Sequence, residues 1–368
     1  MQELPAPEFV TVDPAAVEAD LVARYEAKTG KTLYPAQIER LFINQIAYAH
    51  GLAMTAIQGT AEKMLVRRSS GVVLDYLGEM VGTPRLLATA AQCKIRFIKQ
   101  DAASADVVLP AGTTITTTDG KVAFAIEQEV TVTSKGVTTD AFCTEEGLAG
   151  NGWMPGQVSV LAADLPVLAV NTTESADGAD DETDDHYKER IIMAPEAYTN
   201  AGSYGAYRYH ALSAHQSIVA VDVRGPTEGE DDGHVALLPL VETGMPSDFL
   251  LTTVLNALSS QKKRPLCDTV LVRRPEQLDY EVQAELIFYA TANQADALVR
   301  AQTALEAYVA ERQVQLGADF VPEQISAVLQ VAGVYRARVL SPTLRALDSG
   351  QWGNCTGINL TNGGTVNG

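Results

Sequence analysis

The sequence predicts a multi-domain α+β protein, with a long-helix region at the N-terminus, a central antiparallel β domain and C-terminal α/β two-layer subdomains. Three observations point there. Residues 36–83 contain no proline and repeat apolar side chains every three or four positions, residues 93–171 alternate apolar and polar side chains between turn signals, and strand-like and helix-like stretches alternate beyond residue 190. At 368 residues, 46% hydrophobic and 20% charged, the chain can bury a core and has the length of roughly two to four domains.

The first helix is expected over 14–29. Asp13 is placed to cap it, Pro14 suits the first helical position, and Val17, Leu21 and Tyr25 form one stripe before Gly30 ends it. The strongest helical signal follows: Ile38, Phe42, Ile46, Ala49, Ala53, Ile57, Ala61 and Met64 share one face of a helix running from 36 to about 68. At 1.5 Å per residue that rod is roughly 50 Å long. A short helix over 72–80 would turn Val73, Leu74, Leu77 and Val81 inward.

The character changes near residue 91. Ile95 and Phe97, Val107 and Leu109, Ile115, and Val122, Phe124 and Ile126 alternate with polar residues around the turns Pro110-Ala111-Gly112 and Asp119-Gly120. Asp-Gly between such runs favours a tight hairpin, because its central positions need positive φ. Gly147, Gly150, Asn151, Gly152 and Gly156 make a turn-rich stretch before a strand at 158–161. Between Glu174 and Glu189 stand eight acids and one base, Lys188, which read as an exposed linker leading into a helix over 185–193.

Beyond it the pattern predicts a helix over 205–214, strands over 218–223 and 235–241, a helix over 247–261 and a strand over 269–273, a ββαβ-like unit. A strand follows with Tyr280, Val282, Ala284, Leu286 and Phe288 on one face. Helices near 294–316 and 323–331 and a strand over 334–340 complete the second subdomain. The last 20 residues hold six glycines and four asparagines and read as a tail that is loose or orders only against a partner. The expected divisions are 1–90, 91–172, the acidic linker 173–190, 191–275, 276–348 and the tail 349–368.

Net charge is −19, and it is unevenly spread: residues 101–260 carry 25 acids against 6 bases, while the flanking parts are close to neutral. Such a chain repels phosphate backbones and anionic lipid, so neither nucleic acid nor membrane is an expected partner. The acidic middle is expected to face solvent or a basic partner surface. Cys93, Cys143, Cys267 and Cys355 lie far apart without a CxxC pair, as expected of reduced thiols. The sequence shows no secretory pattern at its start and no apolar run of membrane-spanning length.

Catalytic patterns are approached and missed. Gly30-Lys31-Thr32 ends like a phosphate-binding loop, but Tyr25 stands where that loop needs glycine, so Gly30 reads as a helix stop. Ala201-Gly202-Ser203-Tyr204-Gly205 lacks the first glycine and the preceding strand of a nucleophile elbow. His210 and His215 are five apart rather than four, so with His50, His186 and His234 they read as surface or packing residues. The acidic runs 177–185 and 228–232 lack the alternation of a calcium loop, and Gly150, Gly152 and Gly156 are misplaced for a dinucleotide fingerprint. No metal, cofactor or catalytic residue is expected, which points to a scaffold or binding protein.

Four stretches together resemble the baseplate J-like proteins of contractile phage tails and R-type tailocins. Gly71–Arg85 is similar to the family's LD…G…R segment at Leu74, Asp75, Gly82 and Arg85. Leu109-Pro110-Ala111-Gly112-Thr113 with Asp119-Gly120 and Phe124 resembles its PAG hairpin, and Gly147, Gly150, Asn151 and Gly156 its G…GN…G run. Asn171, Gly178, Asp181, Glu182, Tyr187, Arg190 and Ile191 resemble its N…GG.D.E…RI segment, with Ala179 in place of one glycine and Lys188 in place of an arginine.

The resemblance implies a non-enzymatic subunit of the baseplate wedge, assembled in the bacterial cytoplasm and resident in a virion or tailocin particle. Its implied partners are a companion wedge subunit, a second copy of itself, neighbouring wedges closing a sixfold ring, the sheath-initiating protein, the hub and spike, and the tail-fibre network. The wedge would rearrange when contraction is triggered. In that setting the seam of Ile38, Phe42, Ile46, Ala49, Ala53, Ile57 and Met64 is the expected protein interface. The competing expectation is that it packs within the chain against 14–29 and 72–81. A carbohydrate-active enzyme or a receptor-binding tail protein is the alternative function.

Overall fold

A computed structural model describes residues 4–11, 13–101, 103–198, 202–259 and 268–367. Cys267, Ala201 and the end of the helix expected over 247–261 lie outside them. The chain divides into two compact units: residues up to Arg85 together with Tyr187–Ile192, and Leu86–His186 together with Met193 onward.

The first unit is helical. Helix α1 (Pro14–Thr29) starts where Asp13 accepts the Ala16 N–H and ends in a left-handed Gly30 whose N–H returns to the Glu26 carbonyl. Helix α2 (Ile38–Lys63) runs back along it, tied by the Arg40–Glu18 ion pair at 2.5 Å and by Gln58, which holds the chain at Pro7, Phe9 and Val10. It is shorter than expected, about 39 Å at 26 residues. The chain leaves the helical path at Leu65 because Val66 swings out to pack against Leu74 and Tyr187. Helix α3 (Gly71–Met80) buries Leu74 and Gly78; Val73, expected inside, is exposed.

The second unit begins with a nearly closed barrel. Strands β1 (Ala90–Lys99), β2 (Val107–Leu109), β3 (Thr114–Thr117), β4 (Ala123–Ile126), β5 (Val130–Val132), β6 (Val137–Glu146), β7 (Val158–Leu161) and β8 (Val167–Asn171) form a six-stranded sheet in the order β7-β3-β4-β6-β1-β8, with β2 and β5 paired separately. Its pairings are antiparallel. The alternating side chains close on a core of Ile95, Phe97, Leu109, Ile115, Phe124, Ile126 and Val158. Gly120 turns the β3–β4 hairpin, and Thr117 bonds Asp119 beside it at 2.6 Å.

After β8 the acidic stretch lies on the barrel; the expectation of an exposed linker is corrected here. Ala176 and Ala179 bridge antiparallel to Gln92 and Thr89, and the Glu182 N–H reaches the Leu86 carbonyl in continuation of that register. Residues 176–182 thus form a strap along 86–92. Its carboxylates accept backbone N–H groups: exposed Asp180 that of Leu148, exposed Asp181 that of Ala88, and Glu182, 3% exposed, that of Leu86. Backbone donors beyond the end of the ladder need acceptors, and these acids supply them.

Helix α4 (Asp184–Met193) contributes Tyr187–Ile192 to the first unit. Then α5 (Tyr204–Leu212), β9 (Ile218–Arg224), β10 (His234–Val241), α6 (Asp248–Leu258) and β11 (Thr269–Val272) build a central module in which β10 pairs antiparallel with β9 and parallel with β11. Ser203 and Ser247 accept the N–H groups that start α5 and α6.

The C-terminal module comprises β12 (Glu276–Tyr289), α7 (Gln294–Gln313), α8 (Pro322–Leu329), β13 (Val334–Ser341) and β14 (Gln351–Val366), with β12 central and antiparallel to β13. Val282, Ala284, Leu286 and Phe288 pack on Ala297, Ala301, Leu305 and Val309 of α7 and on Ile325 and Leu329 of α8. The tail expected to be loose is β14, parallel to β12 along nearly its whole length. Trp352 anchors it, buried and donating to the Gln313 carbonyl at 2.6 Å. Gly353 beside it is required by crowding: a Cβ there would stand 2.6 Å from the Phe320 ring.

Candidate assembly interface

Helix α2 has two distinct apolar faces. Ile43, Ala47 and Gly51 are buried on the side of α1, where Gly51 faces the Pro14 ring. The seam read from the sequence points elsewhere, roughly 130° around the helix at 100° per residue. Ile38, Phe42, Ile46, Ile57 and Met64 are 48–72% exposed, and Ala49 and Ala53 between them are exposed as well. Leu41, Tyr48 and Leu52, which the stripe omitted, widen this uncovered face. Packing on α1 therefore uses the other face of α2 and leaves the seam bare. Full burial of a large apolar side chain contributes about 1.5–3 kcal/mol, so a surface of this kind has a strong drive to associate.

Most of the family-motif residues fall into two clusters, with Pro110 and Gly112 apart from both. In the first unit, Tyr187 lies buried among Leu74, Ile191, Val66 and Val81. Its hydroxyl donates to the Thr83 carbonyl at 2.7 Å, and a Cβ on Gly78 would run into that hydroxyl. Arg85 stacks on the Tyr187 ring at 4.6 Å and pairs with Asp75 at 2.8 Å. Arg190, buried, donates to the Pro84 carbonyl.

The second cluster fastens the strap. Asn151 and Gly178 exchange two hydrogen bonds, with Asn151 Nδ2 donating to the Gly178 carbonyl at 2.7 Å and the Gly178 N–H returning to Oδ1 at 2.9 Å. Buried Asn171 accepts the N–H groups of Gly156 and Val158 and donates to the carbonyls of Met154 and Thr173. Gly150 packs against Ala91 and Cys143. Pro110 and Gly112 form the turn into β3, where the Thr113 N–H reaches the Pro110 carbonyl.

Sequence reasoning missed Gly78 and Thr83, and also Thr89, Gln216 and Ser247, which together with the packing residue His215 hold the strap from the barrel and central-module sides. Gly78 left one signal, a glycine inside a helix where alanine is better by about 1 kcal/mol. Ser203 caps a helix, and among the described residues no group of three or more His, Cys, Asp or Glu could hold a metal ion. Burial pushes the Cys93 thiol up to about 12.

Comparison with known proteins places these parts. Residues 94–179 match the Baseplate J-like protein barrel domain, 199–274 the Baseplate J-like central domain and 280–361 the Baseplate J-like protein C-terminal domain. Baseplate protein J of Escherichia phage P2 is 33% identical over 185 residues, covering 50% of this chain and 60% of that protein. A chain in a cryo-EM structure of the anti-feeding prophage baseplate aligns over 94% of this chain and 90% of its own, at 11% identity and a TM-score of 0.42. With three successive family domains spanning more than half of its length, the chain belongs to the baseplate J-like family.

Proposed function

We propose that this chain is a baseplate wedge subunit that enters a heteromer through the bare face of α2, packing against helices of a companion wedge subunit and of a second copy of itself. The observation that carries this reading is the seam, five large apolar side chains 48–72% exposed on one face of a helix whose opposite face is already satisfied by α1. The near-neutral first 100 residues, with 10 acids and 11 bases, add little net repulsion to such a bundle. The barrel, central and C-terminal modules are then available for neighbouring wedges, the sheath-initiating protein, the hub and spike, and the tail-fibre network. Rearrangement of the wedge on contraction belongs to the same reading.

The test is protection on assembly. An Ile46→Cys variant should react readily with a maleimide in the isolated chain, and the same site should become at least about tenfold slower in assembled tail particles. Equal labelling in both states would refute the seam as the assembly surface.

A further inference from the structure

The strap is held against the central module by two histidines with opposite hydrogen-bonding demands. His215 lies in the turn that enters β9 and is buried. The backbone N–H of Ser217 points at its Nδ1 at 3.2 Å, and an N–H can only donate. Nδ1 therefore presents a lone pair to that N–H and to the Ser217 hydroxyl at 2.8 Å, and the ring hydrogen sits on Nε2, which faces the Asp177 carbonyl at 3.2 Å and the Thr89 hydroxyl at 3.1 Å. Asp177 turns that carbonyl inward from a left-handed conformation at φ 69°, which Asp tolerates better than most residues.

His186 is the reverse case. Its Nδ1 lies 2.5 Å from Glu182 Oε1 and its Nε2 2.9 Å from the Ile218 carbonyl. Both neighbours are acceptors, so this ring faces an acceptor at each nitrogen. The groups facing His215 are thus the Asp177 carboxylate on the strap, His186 on α4, the Thr89 hydroxyl ahead of β1, and Ser217 on its own turn. Gln216 next to it donates to the carbonyls of Leu87 and Asp180, and Ser247 donates to Asp177 Oδ2 at 2.6 Å.

We propose that the His215–Ser217 turn is an acid-opened latch on the strap: neutral His215 holds residues 86–92 and 176–182 against the central module, and a proton on Nδ1 releases them. The added proton would displace the Ser217 N–H, leave the Ser217 hydroxyl as its one close acceptor, bury a charge and set it near His186. Burial lowers the basicity of His215, with the Asp177 carboxylate opposing in part. A depressed histidine contributes its full share to the closed state above the ordinary value of about 6.5 and loses it as pH falls through the folded value. Asp177 has the opposite sign: burial raises its carboxyl, so its cost to the closed state fades as the carboxyl takes up a proton. The latch therefore opens as pH falls below about 6.5, with protonation of Asp177 opposing the release. It does not depend on the α2 seam.

The test is amide hydrogen exchange on the full chain between pH 7.5 and 5, corrected for intrinsic rates. Opening of 86–92 and 176–182 should increase by up to about tenfold per pH unit once His215 titrates, while the β12 core stays protected. In His215→Gln this acid limb should vanish. Strap protection that persists to pH 5, that is lost together with β12, or that is lost identically in the variant would overturn the latch. Should the variant already be open at pH 7.5, the His215 ring signal in the NMR spectrum of the wild-type chain decides: a midpoint below 6.5 that coincides with strap opening supports the latch, and a midpoint at or above 6.5, or one uncoupled from the strap, overturns it.

Discussion

The hydroxyl of Tyr187 donates to the carbonyl of Thr83 at 2.7 Å across 104 residues of sequence, directly over the missing Cβ of Gly78. Two motif segments that are far apart in the chain are in this way one packing unit. Gly78→Ala should destabilise the helical unit by about 1–3 kcal/mol through overpacking, and Tyr187→Phe by about 1 kcal/mol through the lost hydrogen bond. Removing the hydroxyl relieves part of the clash, so the double variant should fall short of additivity by about 0.5 kcal/mol or more in urea denaturation.

How far the sequence alone reached depends on the range of the forces involved. Helices α1, α2 and α3, the β3–β4 hairpin and the alternating core of β12 follow from local periodicity and turn chemistry, and Asp13, Pro14 and Gly30 stand where they were expected. The strap was read as a free linker because acids in a row usually mark solvent; Asp180 and Asp181 are indeed exposed, but with buried Glu182 they cap N–H groups between 32 and 96 residues away. The tail was read wrongly for a similar reason: glycines that signal freedom in a loop here fit β14 under Phe320 and beside β12. The seam residues were legible as a stripe, but only the structure shows that α1 takes the other face.

Asn171 joins β8 to the turn before β7 through both ends of its amide. Asn171→Ala should cost about 1–3 kcal/mol, because the buried Val158 N–H loses its partner while the Gly156 N–H and the Met154 carbonyl keep only their backbone ones. Asn171→Asp should be no better, since a carboxylate cannot donate to the carbonyls of Met154 and Thr173. Thermal unfolding of both variants against wild type checks this.

Cys93 should be inert in the native chain. With the thiol pushed up to about 12 by burial, its thiolate fraction at pH 8 is on the order of 10⁻⁴. Among the three described cysteines, half-buried Cys355 should react first with iodoacetamide at pH 8, and Cys93 only after denaturant is added. Mass spectrometry of the labelled peptides reads the order.

Trp352 fixes the start of β14. Trp352→Ala should destabilise the C-terminal module by about 3–5 kcal/mol and raise exchange along 351–366 before that of the barrel. Equal protection of β14 in the variant would show that strand pairing with β12 suffices without the anchor.

The central claim, that the bare face of α2 joins the chain to its companion wedge subunit, is tested most directly by the affinity of that complex. Phe42→Asp with Ile46→Asp changes two exposed side chains and should leave the unfolding of the isolated chain within about 0.5 kcal/mol of wild type. The account predicts that the co-expressed companion then binds at least about a hundredfold more weakly, in line with two apolar anchors lost from a helix bundle. Wild-type affinity in the double variant would contradict it.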